Sequence, residues 1–540
     1  MKKILCLVLA LAMLCLAFAA CTNQPANSGE SADSGKVTEN SSANKQDEKQ
    51  DASSEGDVKL GGTLRIYLSG DLTSMDNTRT RVSEALPAYE TILYKDANGN
   101  YCPRLIESLE SDVEGLTYTM KLRSEPVYFH DGSVMTSEVL AWNINQYKEI
   151  GYFASSFSKI DKAEAVDDST VVIHMTEWDM LLPNCLARMC TPVSKEFVDK
   201  NGWDALAEAE CGTGPFMLKE WKHGESIEYV KFDKYYEGEP RLDSLLYLIY
   251  GSADVALMAL QNGELDVVPF TRISYSYLPE LATNDNLVIY DANRGGSAYT
   301  LGFNCVNESD PLYNVTVRKA ICHAINTDAI GEALTEGFYY PGSTQWSPNE
   351  YVYCSDKVTG YPYDVAKAKE LLAEAGYPDG FKTSVIVQAP YEDAAVLVQA
   401  MLKEVGIECE IQSLDRANFD KWISGWESGM LIHTVGVGNG QEYQITNSAR
   451  SDVTTGYGSA AFKHTDELDA LCSEALTASV EESYAPIRRV AEIMFEEDVD
   501  MKVLFLSKGI TVAGKYVKDA GICINGDNNI SNLWLAWLDK

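Results

Sequence analysis

Apolar and polar positions alternate in short runs through the first half of the chain and gather into helical stripes in the second. Leu64, Ile66 and Leu68 alternate with polar or amphipathic neighbours, which predicts a half-buried strand opened by Gly61-Gly62. Asn98-Gly99 predicts a hairpin turn. The surrounding run 96–101 only faintly resembles a calcium loop, since its glycine falls early and no glutamate closes it. Strands are expected at Thr117–Leu122 and Thr170–Met175, on either side of a helix near 136–149 with an apolar stripe of Leu140, Ile144 and Tyr147. From 211 to 289 strands predominate, interrupted by a helix near 254–262 that Gly263 stops.

After about residue 295 strands and helices alternate. Helix is predicted over 316–325, then a second helix capped by Thr327, carrying Ile330 and Leu334 and ending at Gly337. Asp364 caps another with Ala368, Leu371 and Leu372, stopped by Gly376 and Pro378. The strand 385–387, a helix to Val405 and the alternation Ile407, Cys409, Ile411 make a β-α-β unit. The pattern is thus of the α/β class. The last apolar stretch, 533–538, is too greasy to be a free tail and is expected to dock on the body.

The N-terminal end changes the picture of where the chain works. Lys2 and Lys3, an apolar run 4–16 and the small stretch 17–20 predict a secretory signal peptide over 1–20 rather than a spanning helix. Ala19-Ala20 before Cys21 resembles a bacterial lipobox, although Phe18 departs from it, so Cys21 is expected to carry lipid. Read as an ordinary A-x-A cleavage site, Ala17-Phe18-Ala19 would release the protein instead. Residues 21–58 have almost nothing to bury and read as a disordered tether that reaches roughly 35 Å as a coil. An extracytoplasmic protein held to the membrane by lipid is the expectation.

The formal net charge is −36, and loss of Lys2 and Lys3 makes it two units more negative, which argues against nucleic acid and anionic lipid surfaces as partners. Of the thirteen cysteines, ten follow Cys21, with no C-x-x-C pair and spacing unlike a zinc site or a small disulfide scaffold. Which of them an oxidising compartment would pair stays open. Motifs of zinc peptidases, serine hydrolases and phosphate loops are absent, and 436–440 lacks dinucleotide spacing. No catalytic residue, cofactor or metal site is therefore predicted. A glycosidase using two of the many carboxylates stays open on residue types alone. The six histidines are dispersed.

Several blocks resemble one family, the extracellular solute-binding proteins, family 5, of ABC importers for peptides, opines and nickel. They are Gly61-Gly62-Thr63-Leu64-Arg65 with Tyr89-Glu90, Gly115-Leu116-Thr117-Tyr118-Thr119, Val127-Tyr128-Phe129-His130-Asp131-Gly132, and Gly212-Thr213-Gly214-Pro215-Phe216 with Trp221. Ala259-Leu260-Gln261-Asn262-Gly263-Glu264-Leu265-Asp266, Leu301-Gly302-Phe303-Asn304, Val317-Arg318-Lys319-Ala320, 366–375 and 402–407 follow in order. The resemblance implies a two-lobed periplasmic-binding-protein-like clamp of the cluster C type with an extra subdomain inserted in lobe I. Lobe I would comprise 59–93, 212–292 and 505–540, the insertion 94–211, and lobe II 293–504, with crossings near 294–299 and 503–507. It further implies a monomeric receptor that captures a solute, a peptide first, and delivers it to a membrane ABC permease. An oligosaccharide, opine or metal chelate is the alternative cargo, and an exported hydrolase the rival activity.

The family's dipeptide binders meet the peptide ammonium with an aspartate and the carboxylate with an arginine. Here those positions resemble Val437 and Ala389, so a simple dipeptide is not expected. Ligand contacts are instead expected from the aromatic Trp346, Tyr391 and Tyr443, with His433, Asn439 and Arg416 as polar partners. The family's nickel histidine falls where Gln441, Glu442 and Tyr443 stand, which leaves His433 as a minor metal candidate.

Overall fold

The computed structural model describes residues 58–80, 87–96, 100–269, 273–292, 296–342, 358, 360–436, 446–453, 458, 460–519 and 533–540. Cys21, Trp346, Asn439 and Tyr443 lie outside them, as do Asn98 and Gly99, although the strands flanking that turn, Leu93–Lys95 and Tyr101–Pro103, do pair antiparallel.

Three large sheets organise the described residues. The largest has seven strands in the order Leu287–Ala292, Gly509–Gly514, Val267–Val268, Thr63–Leu68, Ser244–Ile249, Ser226–Lys231, Phe216–Lys222. Leu64, Ile66 and Leu68 enter its core as their alternation predicts, but Tyr67 is buried too. The strand is covered on both faces, because Ala256, Leu257 and Leu260 of the helix Ala253–Gln261 pack over the side expected to meet water. Leu533 and Ala536 belong to the same core as Leu64, so the apolar C-terminal stretch docks here.

A four-stranded antiparallel sheet, ordered Ile106–Asp112, Thr117–Leu122, Thr170–Met175, Ile160–Asp167, forms the body of the inserted region. The helix Ser137–Ile150 covers it. Thr136 caps that helix by accepting from the Val139 amide, and Leu140, Ile144 and Tyr147 bury against Tyr118, Met120, Val171 and Ile173. The insertion is tied to the seven-stranded half through the loop at 212–215. A Cβ on Gly212 or Gly214 would run into the backbone carbonyls of Ala88 and Pro87, so close chain approach, with no left-handed backbone, is what requires glycine there. His130 bridges the loop, placing Nδ1 2.7 Å from Glu210 and Nε2 2.9 Å from the Gly214 carbonyl.

The six-stranded sheet is ordered Tyr339–Tyr340, Met501–Ser507, Ser297–Phe303, Met430–Gly436, Lys382–Gln388, Glu408–Leu414. Its β-α-β unit runs as expected: Lys382–Gln388 and Glu408–Leu414 pair in parallel through the helix Glu392–Glu404. Asp364 caps the helix Val365–Glu374. The helix Thr327–Thr335 is capped by Asn326 rather than Thr327. The Asn326 side chain accepts from the Ala329 amide, and of two adjacent cap-forming residues the stronger capper takes the position.

Two chain passages join the sheets. One runs from Leu287–Ala292 to Ser297–Phe303. The other lies at Lys508, because Met501–Ser507 pairs with the six-stranded sheet to its last residue and Gly509 already starts the seven-stranded one. Among the described residues Cys102, Cys185, Cys190, Cys211, Cys305, Cys322, Cys409 and Cys472 are free thiols.

Candidate ligand-binding site

Strand register assembles a row of side chains where the six-stranded sheet meets the passages. Tyr299 lies opposite Thr434 on one neighbouring strand and Phe505 on the other, and directly opposed residues share a face of the sheet. The Tyr299 ring stacks on Phe505 with centroids 4.4 Å apart and meets Tyr391 edge-on at 5.7 Å. Tyr391 arrives from the short turn Ala389–Tyr391 beyond the strand Lys382–Gln388, and the Thr434 hydroxyl donates to its phenol oxygen at 2.8 Å. Tyr339, from the edge strand, extends the row by meeting Phe505 edge-on at 6.4 Å. Phe505 is wholly buried, whereas Tyr299, Tyr391, Thr434 and Tyr339 are half-buried.

The passages beside this row are tightly bonded. A Cβ on Gly296 would collide with the Ser507 carbonyl, and the Ser297 amide donates to Ser507 Oγ at 2.9 Å. Lys508 is held from both sides. Its carbonyl accepts from the Tyr275 hydroxyl at 2.7 Å, its amide donates to the Phe338 carbonyl at 3.2 Å, and its ammonium pairs with Asp291 at 2.7 Å while lying over the Tyr340 ring. The Tyr340 hydroxyl also donates to Asp291, at 3.1 Å, which joins the two sheets through side chains.

Of the expected ligand residues, Tyr391 stands in the row. His433 does not. As the neighbour of Thr434 on one strand it points to the opposite face, where its ring lies 5.7 Å from that of Phe419 in the helix Arg416–Ile423. Burial, with a smaller push from Arg416, drives the His433 imidazole down to about 4, so it is neutral at physiological pH. Arg416 is exposed and paired with Asp420 at 2.8 Å. Ala389 opens the turn that delivers Tyr391. Among the described residues no group of three or more His, Cys, Asp or Glu side chains is arranged to hold a metal ion, and no helix is long and apolar enough to cross a membrane. Sequence reasoning missed Tyr299, Thr434, Phe505 and Tyr339 as a set. Their types suit a recognition surface, but their adjacency depends on pairing between segments more than a hundred residues apart.

Comparison with known proteins agrees with this architecture. Residues 100–456 match the family model described as bacterial extracellular solute-binding proteins, family 5 Middle. Heme-binding protein A of Haemophilus influenzae is 28% identical over 433 residues, covering 74% of this chain and 78% of that protein. Oligopeptide-binding protein AppA of Bacillus subtilis is 27% identical over 464 residues, covering 78% and 83%. The structure of the ABC transporter-associated periplasmic binding protein DppA from Helicobacter pylori, in complex with the peptide STSA, superposes with a TM-score of 0.65 at 24% identity over 89% of this chain and 99% of that one. The fold is of the two-lobed periplasmic-binding-protein type, and the chain belongs to the bacterial extracellular solute-binding proteins of family 5.

Proposed function

We propose that this chain is the solute receptor of an ABC importer, held outside the cytoplasm by lipid on Cys21, and that it captures a peptide longer than a dipeptide between its lobes. The observation that carries the cargo class is the row Tyr391, Tyr299, Phe505 and Tyr339 with the Thr434 hydroxyl. Aromatic faces and hydroxyls take up side chains and backbone amides, but they offer no counter-charge to a free terminus. At Ala389, where the family's arginine would stand, a buried carboxylate would go unmatched at a cost of roughly 3–5 kcal/mol. AppA's oligopeptide specificity and the tetrapeptide in the DppA complex support a peptide. The row would be completed by Trp346, Asn439 and Tyr443, with Arg416 at the rim and His433 supporting the strand from its other face.

Lobe I, in this reading, comprises 59–93, 212–292 and 509–540 with the insertion 94–211, and lobe II comprises 293–508. A ligand touching both lobes favours the closed arrangement, with rotation taken up where the chain passes between the sheets. The closed form hands its cargo to a membrane permease, and the chain performs no chemistry on it. A second reading, a non-peptide cargo, is favoured by the identity with heme-binding protein A, since an aromatic wall also accepts a planar ring system.

A thermal-shift panel of dipeptides, longer peptides, oligosaccharides, nickel chelates and heme tests the cargo. At one hundred times its Kd a ligand stabilises by about 2.7 kcal/mol. Longer peptides should raise the midpoint, and strong stabilisation by simple dipeptides alone overturns the proposal. Replacing Cys21 with Ser should release the protein into the medium. Native protein already free there in bulk refutes the anchor.

A further inference from the structure

The inserted subdomain touches the helices of lobe II through Trp178. This residue follows the strand Thr170–Met175 and stacks on Tyr118, with ring centroids 4.6 Å apart and planes 13° from parallel. The Tyr118 hydroxyl donates to the Asp179 carbonyl at 2.9 Å, so the loop beside the indole is pinned to the sheet. The indole has one polar group, a donor, and it donates at 2.7 Å to the carbonyl of Ala478, 300 residues further on.

Ala478 terminates the helix Asp466–Thr477, whose last carbonyls lack intrahelical donors and carry the negative end of the helix dipole. Ser479 follows at once as the cap of the helix Val480–Glu492, and its capping box with Glu482 fixes the turn. Leu468, Cys472, Ala475, Ile487 and Val490 of the two helices are buried with Leu431 and Val503 of the six-stranded sheet. Donor and acceptor are thus mounted on rigid bodies that belong to different lobes. The subdomain stays with lobe I through His130 at Gly214, through Glu210, which accepts from the Leu218 amide, and through the Tyr147 hydroxyl at Asn77.

We propose that Trp178 is a latch: its bond to the Ala478 carbonyl holds the cleft closed for part of the time before any ligand arrives. Rotation at the two passages separates the subdomain from the helical pair and breaks the bond, so the latch counts only toward the closed population. Pre-populating the closed form raises ligand affinity in proportion to the closed fraction. The latch rests on the two-lobed receptor reading, yet it shows in ligand-free protein, so a failed latch leaves cargo capture untouched and a failed cargo assignment leaves the latch standing.

The test is pulsed dipolar EPR on the ligand-free full chain, with nitroxides carried on p-acetylphenylalanine at the exposed positions 168 and 474. Trp178→Phe keeps a ring against Tyr118 and removes the N–H. It should lower the ratio of the short-distance to the long-distance population about three- to ten-fold. Ala478→Arg leaves the carbonyl acceptor in place but forces a long side chain into the contact from the other side, so it should shift the distribution the same way. A distribution unchanged in both variants overturns the latch. A shift with Trp178→Phe alone overturns it as well, since the effect would then arise inside the subdomain.

Discussion

Asp266 and Asp500 are both wholly buried, one beside the seven-stranded sheet and one beside the six-stranded sheet, and their surroundings treat them in opposite ways. Asp266 accepts from Arg65 Nη2 at 2.7 Å, the Arg65 amide at 2.8 Å, the Tyr516 hydroxyl at 2.7 Å and Lys540 Nζ at 2.9 Å. Burial alone would lift its carboxyl, but these donors outweigh it and hold the group below the usual carboxylate range. Asp500 accepts the Lys463 amide at 3.3 Å, while the nearby Arg318 guanidinium donates to the carbonyls of Leu312, Tyr313, Asp498 and Val499. Burial there goes largely unanswered, and the Asp500 carboxyl is pushed up to about 6. Burial sets the cost of a charge, and the number of donors decides whether it is met. Asp266 knots the strand Thr63–Leu68 to Lys540. Asp500, with fewer donors, is a carboxyl whose ionisation burial opposes.

The largest effect should come from Asp266→Asn, which leaves Arg65 and Lys540 without their shared acceptor. A loss of about 3 kcal/mol in urea unfolding is expected, and an unchanged midpoint would break the contrast. Asp500→Asn should do the reverse. Because the folded carboxyl binds its proton more tightly than the unfolded one, its stabilisation is present at low pH and falls as pH climbs from the ordinary range near 4 through about 6. The asparagine escapes that loss. It should be more stable than the parent by about 1–2 kcal/mol at pH 7.5, with the advantage gone by pH 4.

His130→Gln sharpens the comparison from the other direction. Burial alone lowers the His130 imidazole, but Glu210 and the Gly214 carbonyl more than offset it, so the net shift is upward. The pair's stabilisation is therefore complete below the ordinary histidine value and is lost as pH rises through the raised folded one. Unfolding at pH 5.5 should show the variant about 1 kcal/mol less stable, with the gap narrowing by pH 9. The smallest stability effect belongs to Tyr391→Phe, under about 1 kcal/mol, because it removes only the bond from Thr434. The midpoint rise produced by the best-binding peptide of the panel should nonetheless shrink, which separates recognition from scaffold.

Much of this was legible locally. The strands Thr117–Leu122 and Thr170–Met175 fall where alternation put them, and Asp364 caps its helix. The burial of Tyr67 is not legible locally, because period-two alternation marks one buried face and says nothing of a helix that returns to cover the other. The cap at Asn326 was missed because two cap-forming residues stood side by side. Of the ligand residues, Tyr391 is recognisable as an aromatic in a turn after a strand. His433 is picked out by its type, and the alternation that puts it behind Thr434 takes it out of the row.

By itself the sequence determined what short-range spacing can encode: the period of each segment, its stops and caps, the glycines of 212–215, and the order of blocks that marks the family. Tertiary structure alone decided which distant segments share a face. Tyr299, Thr434 and Phe505 become neighbours only through the register of three strands, and Trp178 meets Ala478 only because elements 300 residues apart pack together. The physical reason is that side-chain period constrains residues two to four positions apart, whereas pairing across a sheet or a cleft depends on the burial of whole elements.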